Sequence, residues 1–190
     1  LKNFVSSKLR ISATHLIKHT RVGTAFYQEW ITGAMTDLTA ALAMLGSTVA
    51  TLEDISKAKD NYDIVIVDRS QASFFAYQLN NEGIRKLLLP AFEKTLEADF
   101  YKECNFVTIY LTCDSDIAQE RMLKSRGTLD AIESKGSNYQ ETVKQAYQEC
   151  FNSYQYLIPN CVIDTGIFDQ ETAGKMAIDF VNKQFESRTK

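Results

Sequence analysis

The chain has 190 residues, the length of one domain of ordinary size rather than two. Hydrophobic residues make up 45% and charged residues 24%, which excludes a disordered or collagen-like protein. The net charge of −3 predicts no basic face for nucleic acid, and no apolar run has the roughly 18–20 residues of a membrane helix. We therefore expect one soluble domain over residues 1–190, with no nucleic-acid or membrane partner.

The four cysteines are far apart in sequence and form no C-x-x-C pair. His15 and His19 lie four residues apart in a segment that is predicted to be a strand, where such a spacing does not form a metal pair. This pattern disfavours a structural zinc site and predicts reduced, mostly buried thiols in a cytoplasmic protein.

The predicted elements alternate between helices and short strands. An amphipathic helix is predicted at Leu1–Leu9, followed by a strand at 15–20. The later predicted helices are 26–45 with a break near Gly33, 51–59 after a turn at 46–48, 73–79, 84–96 with a kink or break at Pro90, 116–124, 139–154, and one capped by Asp169. The later predicted strands are 64–67, 106–111 and 161–164.

This alternation predicts an α/β fold with three layers (α/β/α) and a mainly parallel sheet. The continuous β-branched run Ile64–Val67 is typical of a strand that is covered on both faces. Functional residues of such sheets lie beyond the carboxyl ends of the strands. Asp68, Arg69 and Asp164 are therefore expected at one edge of the sheet.

Asp68 and Arg69 follow the most apolar strand directly. Arginine offers two parallel donors to phosphate oxygens, and a carboxylate can hold Mg²⁺ through water, so the pair is a candidate phosphate site. The residues alone leave a second interpretation open, a structural ion pair at the end of the sheet.

The segment Asp68–Gln78 reads D-R-S-Q-A-S-F-F-A-Y-Q and resembles the pattern D-R-x-x-x-S-x-x-A-Y-Q of the thymidylate kinase family. A second block, 126–133, resembles the R-G-x-L-D-R-I-E of the family's lid. Tyr147 follows Glu133 at the family's spacing, and Val162–Asp164 resembles the family's last strand. The resemblance covers roughly residues 60–185 and implies a P-loop kinase fold.

The family's phosphate loop is missing from the sequence, since no G-x-x-x-x-G-K-S/T motif is present. Leu1–Leu9 resembles the helix that follows this loop in the family. We therefore hypothesise that the first strand and the phosphate loop precede Leu1 in the complete protein. The alternative is a relative that has lost the loop and its ATP site.

The resemblance implies roles for the residues around the phosphates. Asp68 would hold Mg²⁺ through water and organise the acceptor phosphate, while Arg69 would bridge the acceptor and the transferred phosphoryl group. Arg121, Lys124 and Arg126 would close positive charge over the triphosphate of ATP.

The lid implied by the resemblance spans about residues 121–138, and Asp130 and Glu133 would anchor it. From the residues alone, Arg121 and Lys124 are equally well explained as an ordinary solvated helix face.

The resemblance also implies a pocket for the acceptor nucleotide. Ser73 would shape the monophosphate pocket, Tyr77 would select deoxyribose, and the Gln78 amide would reach the base. Phe26 and Trp30 can stack on the base.

Departures from the family pattern leave the base open. The resemblance places Phe74 in the substrate pocket, where the family has a small or polar residue that meets the edge of the pyrimidine, and Phe74 cannot form a hydrogen bond there. Ala131 replaces a lid arginine. No arginine lies between Arg21 and Arg69 to read the base. From periodicity alone, Phe74 and Tyr77 can also belong to the core, and the apolar stripe on which Tyr147 lies favours packing over a ligand role.

The sequence thus predicts a nucleoside monophosphate kinase that transfers the γ-phosphoryl group of ATP, with Mg²⁺, to a deoxypyrimidine 5′-monophosphate. The alternatives are a nucleotide-binding or assembly protein without catalysis, and a kinase that acts on free nucleosides or a modified base. The resemblance further implies a homodimer.

Overall fold

The computed structural model describes residues 10–15, 19, 21–129 and 132–186, and the predicted helix at Leu1–Leu9 lies outside them. Its strands are β1 (Ile11–His15), β2 (Ile64–Asp68), β3 (Thr108–Thr112) and β4 (Asn160–Asp164). Its helices are α1 (Arg21–Ile31), α2 (Asp37–Lys57), α3 (Gln71–Gln78), α4 (Glu82–Glu97), α5 (Asp99–Lys102), α6 (Ser115–Arg126), α7 (Ser137–Ser153) and α8 (Gln170–Glu186), with a 3₁₀ turn at Glu133–Lys135.

The strands pair in parallel, as the alternation of helices and strands predicts. β1 lies beside β2 with His15 opposite Asp68, and β3 lies beside β4 with Thr112 opposite Asp164. Within the described residues these are two separate two-stranded sheets, in which β2 and β3 do not pair with each other. The mainly parallel α/β prediction is thus confirmed.

The first strand lies earlier than predicted. The sequence predicts it at 15–20, whereas β1 ends at His15. The backbone N–H of Asp63 donates to the Arg10 carbonyl over 2.8 Å, and the Arg10 side chain returns hydrogen bonds to the Asp63 carboxylate. These contacts fix the start of β1 beside the start of β2.

The predicted turn at 46–48 is wrong, because α2 runs unbroken from its Thr36 cap to Lys57. Glycine costs roughly 1 kcal/mol inside a helix relative to alanine. Burial of Met44, Thr51 and Leu52 on the core side of α2 offsets that cost. At Gly46, tertiary packing therefore outweighs the local preference for a turn.

Two other helix boundaries follow from backbone chemistry. α1 ends at Ile31, close to the predicted break at Gly33, whose φ of 75° favours glycine. α4 continues through Pro90, so this proline does not break the helix. Asp169 caps α8 as predicted, since its Oδ1 accepts the backbone N–H of Thr172 over 2.8 Å.

Helix α3 lies at the centre of the main core and packs against α7 and α2. Its Phe75 ring contacts the Phe92 ring of α4 at 5.7 Å between centroids, and Tyr154 lies against both rings. A smaller cluster of Ile163, Ala173 and Ala177 joins α8 to β4. The core thus surrounds the helix that follows β2.

Helix α2 alone among the described helices is long and apolar enough to cross a membrane, judged by length and composition. Core helices pass the same test. Because Ala41, Met44 and Leu52 are buried in the main cluster, we assign α2 to the core.

Replacing Phe92 by alanine should lower the free energy of unfolding by about 3–5 kcal/mol, because the side chain is 1% exposed and a cavity would remain among three aromatic rings. Urea denaturation measures the change. Phe185→Ala is the control, since Phe185 is 51% exposed, and should cost well below half as much. Equal losses would contradict this description of the core.

Candidate functional site

The connection from β2 to α3 is only two residues long and has a left-handed bend. Arg69 has a φ of 73°, and no other non-glycine residue in the described part of the chain has a positive φ. This conformation costs an ordinary side chain about 1–2 kcal/mol, so the surrounding contacts must enforce it. The bend turns the chain from the strand directly into the buried helix and leaves Arg69 at the carboxyl end of β2.

The Arg69 side chain lies among aromatic rings while the residue stays accessible to solvent. Its guanidinium carbon is 5.4 Å from the centre of the Tyr77 ring, within cation–π range. Burial alone would lower the pKa of Arg69, but the neighbouring Tyr77 and Tyr147 raise it above its ordinary value. Arg69 is therefore a permanent, oriented positive charge.

A cleft of about 220 Å³ opens in front of Arg69. Arg69 and Tyr77 line it from the β2–α3 side, residues 110–113 line it from the end of β3, and α6 and α7 form the remaining wall. The carboxyl ends of β2 and β3 therefore meet at one cleft, which is where an α/β fold places ligands.

Helix α7 contributes residues to this cleft that the sequence reasoning missed. Gln140 and Lys144 line it, and Lys144 and Arg69 are the basic residues on the described walls. They lie far from Arg69 in sequence, so no local motif contains them together with Arg69. The one signal in the sequence was that Lys144 precedes Tyr147 by three residues, which places both side chains on the same face of a helix.

Tyr147 lines the cleft and joins α7 to α3. Its hydroxyl donates to Ser73 Oγ over 2.8 Å, and its ring stacks on Tyr110 at 4.4 Å between centroids. Burial raises the pKa of Tyr147, and burial raises the pKa of the nearby Tyr139 to about 12, so both phenols stay protonated at neutral pH.

Asp68 lies beside the cleft rather than on its lining. Its side chain is 77% exposed, and its Oδ2 is 4.0 Å from Nε2 of His15, its partner across the β1–β2 register. The described residues contain no group of three or more His, Cys, Asp or Glu side chains that could hold a metal. A single exposed carboxylate still fits Mg²⁺, which keeps most of its waters and takes one or two carboxylates with substrate phosphates.

The predicted lid cations hold protein partners. Arg126 Nη2 lies 2.5 Å from Glu133 Oε1. Arg121 donates to the carbonyl of Thr165 over 2.9 Å and to its hydroxyl over 3.1 Å. Neither arginine is among the residues that line the cleft, although Glu133 is. Lys124 is exposed on α6, and Asp130 lies outside the described residues.

Three of the residues predicted to contact the base are in the core. Phe74 is buried and stacks on Phe92, and the Gln78 amide donates to Met44 Sδ over 3.2 Å. Trp30 is buried against Tyr27, and the half-buried Phe26 on the same helix does not line the cleft. The structure therefore brings Arg69 and Tyr77 to the cleft, with Ser73 directly behind them, but not these four side chains.

The fold is that of kinases that act on nucleosides and nucleotides. It is similar to a solved thymidylate kinase from Candida albicans, with a TM-score of 0.60 and 23% identity, over 96% of this chain and 85% of that one. It is also similar to deoxyadenosine kinase from M. mycoides in two structures, with bound dCTP (TM-score 0.51, 17% identity, 91% of this chain and 98% of that one) and with bound dATP (TM-score 0.54, 17% identity, 90% and 97%).

The chain belongs to the thymidylate kinase family. The family model described as thymidylate kinase matches residues 3–165. A curated thymidylate kinase from Blochmanniella floridana is 30% identical over 116 residues, which are 60% of this chain and 53% of the relative. The match thus spans about half the length of that relative. The family resemblance drawn from the motifs is confirmed.

The cleft geometry predicts a ranking of thiol reactivity. Cys113 lines the cleft, whereas Cys150 is fully buried and burial raises the pKa of its thiol to about 12. At pH 8, iodoacetamide labelling followed by peptide mapping should therefore modify Cys113 well before Cys150 in the folded protein. In 6 M guanidinium chloride the two should react at similar rates. Equal rates in the folded state would contradict the placement of the cleft.

Proposed function

We propose that the protein transfers the γ-phosphoryl group of ATP to a deoxypyrimidine 5′-monophosphate. The observation that carries this proposal is the oriented Arg69 guanidinium on the wall of a cleft at the carboxyl ends of β2 and β3. In a chain of the thymidylate kinase family, such a charge is suited to the phosphates that pass between two nucleotides.

Phosphoryl transfer requires positioned substrates and fixed charges rather than a covalent intermediate. Phosphoryl transfer spreads negative charge over the equatorial oxygens of the moving group, and fixed cations stabilise that charge without reorganising. Arg69 can offer two parallel N–H donors to one phosphate. Tyr77, beside it, would pack against the sugar and disfavour a 2′-hydroxyl.

Mg²⁺ and ATP belong to the proposal as the metal and the phosphoryl donor. Asp68 would hold Mg²⁺ through water, and the metal would neutralise charge on the phosphates when bound. The 190 residues contain no phosphate-loop motif, so ATP enters the proposal through the family to which the chain belongs.

The identity of the base is the open part of the proposal. Phe74 and Gln78 are buried, so neither supplies an open polar edge to a pyrimidine. The Candida albicans enzyme is described as having broad substrate specificity, and the deoxyadenosine kinase structures hold dCTP and dATP. The broad specificity of the Candida albicans enzyme supports an acceptor range that includes modified or alternative bases. The dCTP and dATP complexes show only that the deoxyadenosine kinase accommodates both bases, since a triphosphate is not an acceptor.

A nucleotide-binding role without catalysis is the second candidate. It is favoured by the absent phosphate-loop motif and by Arg121 and Arg126, which are bonded to Thr165 and Glu133 rather than directed into the cleft. We further propose a cytoplasmic homodimer, in line with the family resemblance and with four free cysteines.

A panel of nucleotides tests the proposed reaction. The protein, expressed from its full reading frame, should release ADP from ATP and Mg²⁺ with at least one deoxynucleoside 5′-monophosphate in a coupled assay. dTMP, dUMP, dCMP, dAMP and the free nucleosides make up the panel. Binding without turnover would favour the second candidate, and strict selectivity for dTMP would contradict the broader acceptor range.

Arg69→Ala should lower kcat/KM by about 10²–10³, the usual loss when one fixed donor to developing charge is removed. Its melting temperature should fall by no more than about 3 °C, because the residue adds little to the core and alanine meets the same backbone constraint. Arg10→Ala is the matched control, since Arg10 precedes β1 and pairs with Asp63, at the end of the β1–β2 pair that is opposite to Arg69. A large fall in melting temperature with kcat/KM preserved would establish the structural interpretation of Arg69.

A further inference from the structure

The left-handed bend at Arg69 requires a restraint, because the residue has a Cβ and gains nothing locally from a positive φ. The Asp68 side chain before it is 77% exposed, so burial of that side chain does not hold the bend. The contacts that follow Arg69 in the chain are of a different kind, since they lead into the buried interface of α3 and α7.

A short hydrogen-bond relay begins at the next residue. The backbone N–H of Ser70 donates to Ser73 Oγ over 3.4 Å, and Ser73 Oγ also accepts the Tyr147 hydroxyl proton over 2.8 Å. Ser73 and Tyr147 are both buried. A hydroxyl oxygen with two donors directed at it has a fixed position, and it holds the backbone next to Arg69 in turn.

The same tyrosine also supports the Arg69 side chain. The Tyr77 ring that carries the guanidinium lies edge-on against the Tyr147 ring, with 6.2 Å between centroids. Tyr147 in turn stacks on Tyr110 of β3. The backbone and the charged end of Arg69 are thus both held through one residue of α7.

We propose that Tyr147 is a positioning residue that fixes Arg69 in the cleft, through its hydroxyl to Ser73 and through its ring against Tyr77. Its catalytic consequence rests on the function proposed above, while its structural part does not. A tyrosine that only packed would be replaced without loss by phenylalanine, which keeps the ring and removes the hydroxyl.

Tyr101→Phe is the matched control. Tyr101 is equally buried and donates its hydroxyl to the Leu157 carbonyl over 3.0 Å, but it is not among the residues that line the cleft. Both variants lose one buried hydrogen bond and are expected to lose similar stability. A difference between the two variants in the chemical reactivity of Arg69 therefore reports the loss of the relay and not a general loosening of the fold.

The first experiment measures how fast the Arg69 guanidinium is chemically modified, and it requires no assumption about enzymatic activity. The full chain is treated with phenylglyoxal, which modifies guanidinium groups, and the rate at Arg69 is followed by peptide mapping. Tyr147→Phe and Ser73→Ala should each raise the Arg69 rate about two- to tenfold, the range of one neutral hydrogen bond. Tyr101→Phe should leave it unchanged, and Arg10 serves as an internal reference in every sample.

The second experiment measures catalytic coupling with the best acceptor of the panel. Tyr147→Phe should lower kcat/KM in the wild-type background and have no further effect in the Arg69→Ala background. An additive loss would mean that Tyr147 acts on the ligand without Arg69. The role through Arg69 would then be overturned.

The two readouts separate the inference from the proposed function. If Tyr147→Phe leaves the Arg69 modification rate unchanged from the wild type, the positioning role is wrong whatever the enzyme does. If that rate rises while no acceptor is phosphorylated by the wild type, the positioning role stands and the proposed reaction fails.

Discussion

The site depends on a backbone constraint, the left-handed bend at Arg69 between β2 and α3. Only two residues connect the end of the strand to the start of the helix, so the change from strand to helix is abrupt. The bend presents one guanidinium to the cleft and at the same time directs α3 into the middle of the core. Because one short segment does both, the position of the charge is tied to the packing of the whole domain.

Helix geometry explains why the family motif divides between the cleft and the core. Residues four apart share a helix face, so Ser73 and Tyr77 lie together, as do Phe74 and Gln78, about 100° further round. The first pair lies behind and beside Arg69, whereas the second is buried against Phe92 and Met44. A motif carried over as one block treats both faces as ligand-binding, and only the packing around α3 separates them.

Local patterns in the sequence predicted the features that depend only on residues close together in the chain. The run Ile64–Val67, the break near Gly33 and the cap at Asp169 are of this kind, as are the family motifs. The predicted turn at 46–48 failed because burial along α2 outweighs the helix penalty of glycine. Lys144 was missed because it meets Arg69 only through the packing of α7 on α3, which no local pattern records.

The pairing of the lid cations bears on how the cleft receives a polyanion. Arg126 is 51% exposed and bonded to Glu133, and Arg121 reaches the backbone at Thr165. The other half of this pair is mostly buried, since the Glu133 side chain is only 17% exposed. A phosphate that took Arg126 from Glu133 would therefore leave a largely buried carboxylate without this cation, which costs more than the loss of an exposed ion pair. The protein partners of both arginines thus favour a structural role for these side chains in this conformation of the cleft.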